Sequence, residues 1–476
     1  MRNTGLIWII GILFSQISLA GNLLDAYKLA LDSDAEYSGA LAANRATREL
    51  EPQARASLLP AMTLALSAAE TRRNIREDQA NRAMELTIAQ PIYRKDLWVQ
   101  LGQAKRRVSQ AEVILALARQ KLMIRVAERY FGVLQATDEL AFARSEKDAA
   151  EEQLHQARQR FGIGFVAVTD VQEAQARYDI AAAQAIEAEN RLGNAHKGLW
   201  EVTGEYLPTL DPLAEQIPLR LPSPNDIEQW MEAALTQNPE VTIARQDAQI
   251  AKAEIERVGA GHLPTLDLVG AHNRLSTDKT QDGLIDTRTS SITLRLNVPL
   301  YQGGFVLSRT REAIHLHSQK VDDLVGINRS IQRQTHDAFS GVVSGISSVS
   351  ARRRALQSAE AALKAIETGF QVGTRNSVDV LDAQREVFRA KRDYADVRYD
   401  YVMNSLYLKQ AAGTLSENDL AAIWRYESTN GAGVVPDKAA KLHNRTGTVK
   451  KASHRPVTIY KLDRHFVTIK RDRKTH

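Results

Sequence analysis

The chain of 476 residues is 43% hydrophobic, 25% charged and 6% aromatic, and it has no cysteine. This composition excludes a disordered, collagenous or disulfide-stapled protein, and the missing thiols exclude thiolate catalysis and Cys-based zinc or iron–sulfur sites. The net charge of +5 misleads: residues 437–476 hold twelve Lys and Arg against three Asp, so with Arg2 set aside the body, 21–436, carries about −5, and nucleic-acid binding does not follow.

Residues 1–20 read as a secretory signal peptide. Arg2 gives the positive start, residues 6–14 an apolar run broken only by Gly11, and Ser18, Leu19 and Ala20 a small-x-small end before Gly21. The run is too short to span a bilayer. No later window of about 18 apolar residues exists, so a membrane location requires strands closed into a barrel.

Residues 22–57 have helical periodicity. Residues 62–68 and 84–89 alternate apolar and polar and are predicted strands. Residues 95–160 follow with no proline and only Gly102 and Gly132, a helix of roughly 100 Å at about 1.5 Å per residue. Five prolines (Pro208, Pro212, Pro218, Pro222 and Pro224) mark 204–224 as a joint. Beyond it the plan recurs, with strands near 265–271 and 291–298 and a helical run over 305–366. Ile292, Leu294, Leu296 and Val298 alternate with Thr293, Arg295 and Asn297, a pattern suited to lipid on one face and water on the other.

The recurrence is an internal duplication. Leu59-Pro60 matches Leu263-Pro264, and Pro91 and Tyr93 match Pro299 and Tyr301. Phe161, Gly164, Asp170 and Val171 match Phe370, Gly373, Asp379 and Val380, all at an offset of about 204 to 209 residues. The expected organisation is a signal peptide over 1–20, a first repeat over 21–203, the joint over 204–224, a second repeat over 225–414, and a segment 415–476 ending in the basic tail. Four strands cannot close a barrel and eight is about the minimum, so at least two copies are required; three would give twelve strands and an aqueous lumen. Helices of this length with small-residue seams pack as coiled coils.

The stretches GHLPTLDL at 261–268, VPLYQGG at 298–304, RFGIGFVAVTDV at 160–171 and VGTRNSVDVLD at 372–382 resemble the TolC family of trimeric outer-membrane channels, in register over about residues 22–420. The resemblance implies a mixed, mainly α fold: a trimeric, twelve-stranded outer-membrane β-barrel, four strands per chain, continued by a long periplasmic α-helical barrel. It implies a homotrimer in the outer membrane of a Gram-negative bacterium, reaching into the periplasm. It also implies docking through a periplasmic adaptor (a membrane fusion protein) to an inner-membrane ABC or RND-type transporter, for type I secretion of proteins or efflux of small molecules. No cofactor is implied.

The two turns between long helices are the candidate site. Gly369 and Gly373 bracket one of them, with Asn376 or Ser377 as the N-cap of the next helix. Asp379 and Asp382 then share a helical face among Val378, Val380 and Leu381, and a trimer would collect six such carboxylates, the means by which pores bind and select cations. Acidic residues also stabilise a helix N-terminus, which explains Asp170 equally well. Arg375 can pair with Asp379 at i+4. By resemblance it instead bridges to the neighbouring coiled coil at Thr169 and Asp170 and, with Gln153, holds the periplasmic aperture shut until the coiled coils untwist like an iris. Phe370 departs from the family, which has a tyrosine there whose hydroxyl joins this network, so closure is expected to rest on fewer links.

No catalytic constellation competes. No HExxH, phosphate-binding loop or GxSxG elbow occurs, and His155, His262 and His272 read as surface or lumen residues. The alternative function is a non-porous, periplasm-spanning coiled-coil scaffold or adaptor, against which the paired sets of lipid-facing strands decide. The tail repeats every ten residues, with Val449 and Lys451, Ile459 and Lys461, Ile469 and Arg471 in register. It reads either as an unstructured basic tail or as short β-prone segments that add to a sheet edge or hold anionic cell wall or lipid.

Overall fold

The structure is a computed structural model that describes residues 21–71, 79–214, 217–279, 283–375 and 377–428. The signal peptide expected at 1–20, the candidate cap Asn376 and the repeating basic tail lie outside the described residues.

The helical stretch expected over 22–57 is three helices, broken by its own capping groups. Asn22 accepts from the Asp25 N–H and starts α1 (Leu23–Ser33). Asp34 ends it and starts α2 (Ala35–Arg48) by accepting the Tyr37 N–H at 2.7 Å, a cap of the kind that contributes about 1 kcal/mol. This carboxylate is buried, and Arg125 donates to it at 2.7 Å, so its charge has a partner within the fold. A short α3 (Leu50–Ala56) leads to strands β1 (Ala61–Thr71) and β2 (Gln79–Tyr93). The 68-residue α4 (Lys95–Gly162) and α5 (Val168–Thr203) complete the first half, and Gly204 closes α5 with φ 69°, a left-handed conformation that suits glycine.

The second half repeats this order. Asn238 caps α7 (Pro239–Gly259) after α6 (Ile227–Gln237), with a proline at the first helical position where no N–H is needed. Strands β3 (Thr265–Lys279) and β4 (Gly283–Asn297), the 67-residue α8 (Phe305–Gln371) and α9 (Ser377–Ala411) follow. A further helix, α10 (Glu417–Ser428), buries Leu420 against the core.

All four strands form one antiparallel sheet in the order β1-β2-β3-β4. They are longer than their sequence patterns predict, because towards the hairpin tips the alternation gives way to polar residues such as Asn81, Arg82, Ser276 and Asp286 while the ladder continues. The register sets Met62 opposite Ile88, Leu64 opposite Leu86, Leu268 opposite Leu294 and Leu266 opposite Leu296, giving one face an apolar band. The other face carries Thr63, Thr87, Ala271 and Ser291 in one row and Ala65, Glu85, Asn273 and Thr289 in another. Nearly every residue of β1 and the carboxyl half of β4 is exposed, so among the described residues neither face of these strands is covered.

Helix α4 packs along α5, and α8 along α9, as two long antiparallel hairpins. On α5 the buried residues Ala174, Ala181 and Ala188 recur every seven positions, the small-residue seam of a coiled coil. The main core lies near the base of the hairpins, where Leu23, Tyr27, Leu122, Tyr130 and Leu406 meet. There the Tyr130 hydroxyl reaches the carbonyls of Gly21 (3.1 Å) and Asp211 (2.9 Å), tying α4 to the segment that precedes α1 and to the proline-rich stretch after α5. Among the described residues no helix is long and apolar enough to cross a membrane.

Candidate functional site

The two turns at the far ends of the hairpins are built alike. After α4 the Phe165 N–H donates to the Arg160 carbonyl at 2.9 Å and the Gly164 N–H to that of Phe161 at 3.0 Å; after α8 the Thr374 N–H donates to the Gly369 carbonyl at 2.9 Å and the Gly373 N–H to that of Phe370 at 3.1 Å. Each is a helix stop that requires a left-handed residue, supplied by Gly164 (φ 76°) and Gly373 (φ 81°). The repeated phenylalanine and glycine of the sequence are therefore the last helical turn and the pivot of each hairpin.

Between the two turns lies an open cleft of about 400 Å³. It brings together Gln153 from α4, Asp170 from α5, Phe370 from the end of α8 and Arg375 from the second turn, four of the residues singled out from sequence, and adds Arg160 and Arg177. Thr169 is exposed beside Asp170 and is not among the described residues that line the cleft. Asp170 accepts the Ala167 N–H at 3.2 Å and so also serves as a helix-start group. Gln153 keeps a buried Oε1 with no hydrogen-bond partner among the described residues.

Asp379 and Asp382 are on one side of α9, beside the buried Val380, and each faces an arginine. Arg375 Nη1 lies 3.9 Å from Asp379 Oδ2. Asp382 accepts from Arg177 Nη1 of α5 at 3.0 Å and is 3.7 Å from Arg385. Arg177 also donates to Glu173 at 2.9 Å, while the Arg160 guanidinium stands over the Phe370 ring, 5.0 Å from its centroid. These two arginines were missed as site residues because their partners lie more than 200 positions away. The only sequence signal was their place on the hairpin flanks of the duplicated turn.

Farther along the hairpins, α9 is tied to α4 by polar contacts. The Tyr399 hydroxyl donates to Asp138 at 2.8 Å, and both burial and that carboxylate hold its pKa well above the usual phenol value. Gln135 donates to Asp396 at 2.9 Å, but burial dominates and pushes this carboxyl above its ordinary range. Among the described residues no group of three or more acidic or histidine side chains could hold a metal ion.

Against known proteins, the sequence profile described as "Outer membrane efflux protein" matches residues 26–205 and 230–414. "Outer membrane protein TolC" of Vibrio cholerae is 36% identical over 410 residues, covering 84% of this chain and 92% of its own. "Alkaline protease secretion protein AprF" of Pseudomonas aeruginosa is 29% identical and covers 87% and 90%. In three dimensions the chain is similar to the CmeC outer membrane channel of Campylobacter jejuni, with a TM-score of 0.74 at 16% identity over 86% of this chain and 89% of that one. The mainly helical fold with a four-stranded antiparallel sheet, expected from sequence, is thus the fold of outer-membrane channels.

Proposed function

The chain belongs to the outer membrane efflux protein family, and on that premise we propose that three copies form a passive exit duct whose periplasmic end is closed by the paired hairpin turns. The outer membrane is its location, and export is its role. The observation that carries the trimeric reading is the sheet. Within the described residues β1 and β4 each pair on one side only, and the apolar band around Leu64, Ile88 and Leu294 lies against nothing in the chain. Joining β4 of one copy to β1 of the next closes twelve strands, removes both edges, gives the apolar band to lipid and turns the Thr- and Ser-rich face to water.

In such a trimer the hairpins, from the repeats 21–203 and 225–414 on either side of the joint 204–224, extend the barrel into the periplasm. Arg375 stands at the turn where it meets Thr169 and Asp170 of a neighbouring hairpin. The buried Gln153 Oε1, which costs about 1–3 kcal/mol if it stays unsatisfied, fits a donor from that neighbour. Asp379 and Asp382 then form the carboxylate ring of the constriction, with Phe370 narrowing it by packing. Untwisting of the α8–α9 pair breaks these links, so the gate is a two-state element biased by an adaptor and an ABC or RND-type pump, which supplies the energy. The cargo is protein, small molecules, or both, chosen at the pump.

Ion conductance of the purified trimer in a planar lipid bilayer tests the reading. A small, cation-preferring conductance is expected. Silence from correctly folded trimers would overturn the duct and restore the non-porous scaffold.

A further inference from the structure

We propose that Arg160 and Arg177 form a clamp within each protomer that holds the α8–α9 hairpin against the α4–α5 hairpin, and that Arg177 also sets how strongly the constriction binds cations. The proposal rests on the gate reading above. Its observations are two contacts on opposite flanks of the turns. Arg160, at the end of α4, covers the face of Phe370 at the end of α8, and Arg177, in the third turn of α5, donates to Asp382 in the second turn of α9. The pair of hairpins is thus braced helix to helix at both flanks, and rotation of one about the other must break both contacts.

Their chemistry suits a reversible clamp. A guanidinium over an aromatic ring is held by charge and flat stacking with no fixed hydrogen-bond geometry, so it can slide and re-form. Arg177 is held in place beforehand: one arm of its fork is taken by Glu173, one turn back on α5, and its side chain is only 28% exposed against 51% for Asp382. The second arm therefore presents a fixed donor to a carboxylate on the moving hairpin.

The same contact ties opening to cation binding. While Arg177 holds Asp382 Oδ1, that carboxylate's charge is partly offset and it binds a cation in the lumen more weakly. When the hairpin swings away, the carboxylate is released. A multivalent cation and Arg177 therefore compete for Asp382, and by linkage the cation favours the released state.

The experiment compares intact trimers of wild type, Arg177→Gln, Arg160→Gln, the exchanged pair Arg177→Asp with Asp382→Arg, and Arg375→Ser in planar bilayers, with La³⁺ as the blocking cation. Arg177→Gln is expected to raise the resting conductance several-fold and to lower the half-blocking La³⁺ concentration by about tenfold, within the usual range of site-to-site coupling. Arg160→Gln raises the conductance but leaves the La³⁺ response unchanged. The exchanged pair returns the conductance towards wild type, a rescue that loss of packing alone would not give, and it carries the test if Arg177→Gln fails to assemble. Unchanged conductance and block in Arg177→Gln, beside an opened Arg375→Ser, would overturn the clamp and leave the gate standing. No change in either variant would overturn both.

Discussion

Arg375 Nη1 lies 3.9 Å from Asp379 Oδ2, one turn ahead in its own chain; the Arg375 side chain is 57% exposed and that of Asp379, partly buried, 36%. A solvated i, i+4 pair with the basic residue first contributes only a few tenths of a kcal/mol. Arg375 can therefore leave Asp379 for a carboxylate on a neighbouring hairpin at little cost, which is what a latch between protomers requires.

Asp170 is the proposed acceptor, and it also accepts the Ala167 N–H. Asp170→Asn keeps an acceptor for that N–H and removes the charge. Its resting conductance should rise several-fold with the melting temperature unchanged. Asp170→Ala removes both roles and should in addition lose about 0.5–2 kcal/mol of helix-start stability, seen in thermal denaturation.

Phe370 lines the cleft without a hydroxyl. Phe370→Tyr supplies the missing donor and should lower the resting single-channel conductance and lengthen closed times. An equal or larger conductance would show that closure does not depend on a hydrogen bond at this position.

The sequence announces the local half of this arrangement and not the distant half. Paired Phe-x-x-Gly turns, a proline-marked joint and alternation over 62–68 and 291–298 are short-range patterns set by backbone geometry, so the duplication and the hairpin ends were legible. The capping role of Asp34 and the breaks it makes were not, because Asp has similar propensities in turns and at caps and its partner Arg125 is 91 residues away. The pairing of β2 with β3 joins the two repeats across the whole of α4 and α5. Arg177 with Asp382 and Arg160 with Phe370 are likewise contacts between elements that only the folded hairpins bring together.

Tyr399 donates to Asp138 from a buried position. Tyr399→Phe leaves that carboxylate without its phenolic donor and should cost about 1.5–3 kcal/mol, measured by urea denaturation. Because burial and Asp138 both raise the phenol's pKa, the bond should persist throughout the physiological pH range.

Two carboxylates should respond to pH in opposite senses. Burial raises Asp396, so this group costs stability increasingly as pH rises from the ordinary aspartate range, about 4, through its raised folded value, and Asp396→Asn should stabilise at pH 7, with the gain fading as pH falls back through that window. Glu254 is lowered, chiefly by hydrogen bonds from Arg257, so its contribution is full above the ordinary glutamate range and is lost as pH falls through its folded value. Thermal melts of Asp396→Asn and Glu254→Gln between pH 3 and 8 would separate the two.

Ile292 belongs to the apolar row with Met62 and Ile88, and its neighbour Thr293 to the opposite face. Ile292→Arg should cost about 2–4 kcal/mol if placed near the bilayer midplane and should reduce recovery of trimers from the membrane. Thr293→Arg should assemble normally and alter only conductance and ion preference. Equal damage from both would argue against a lipid face and a water face.

In the proposed duct, Arg375 holds the resting pore shut. Single-channel conductance in a planar bilayer, wild type against Arg375→Ser, tests it most directly. A small, cation-favouring conductance that rises several-fold in the variant is expected. A wild-type pore already wide open and unchanged by Arg375→Ser would contradict it.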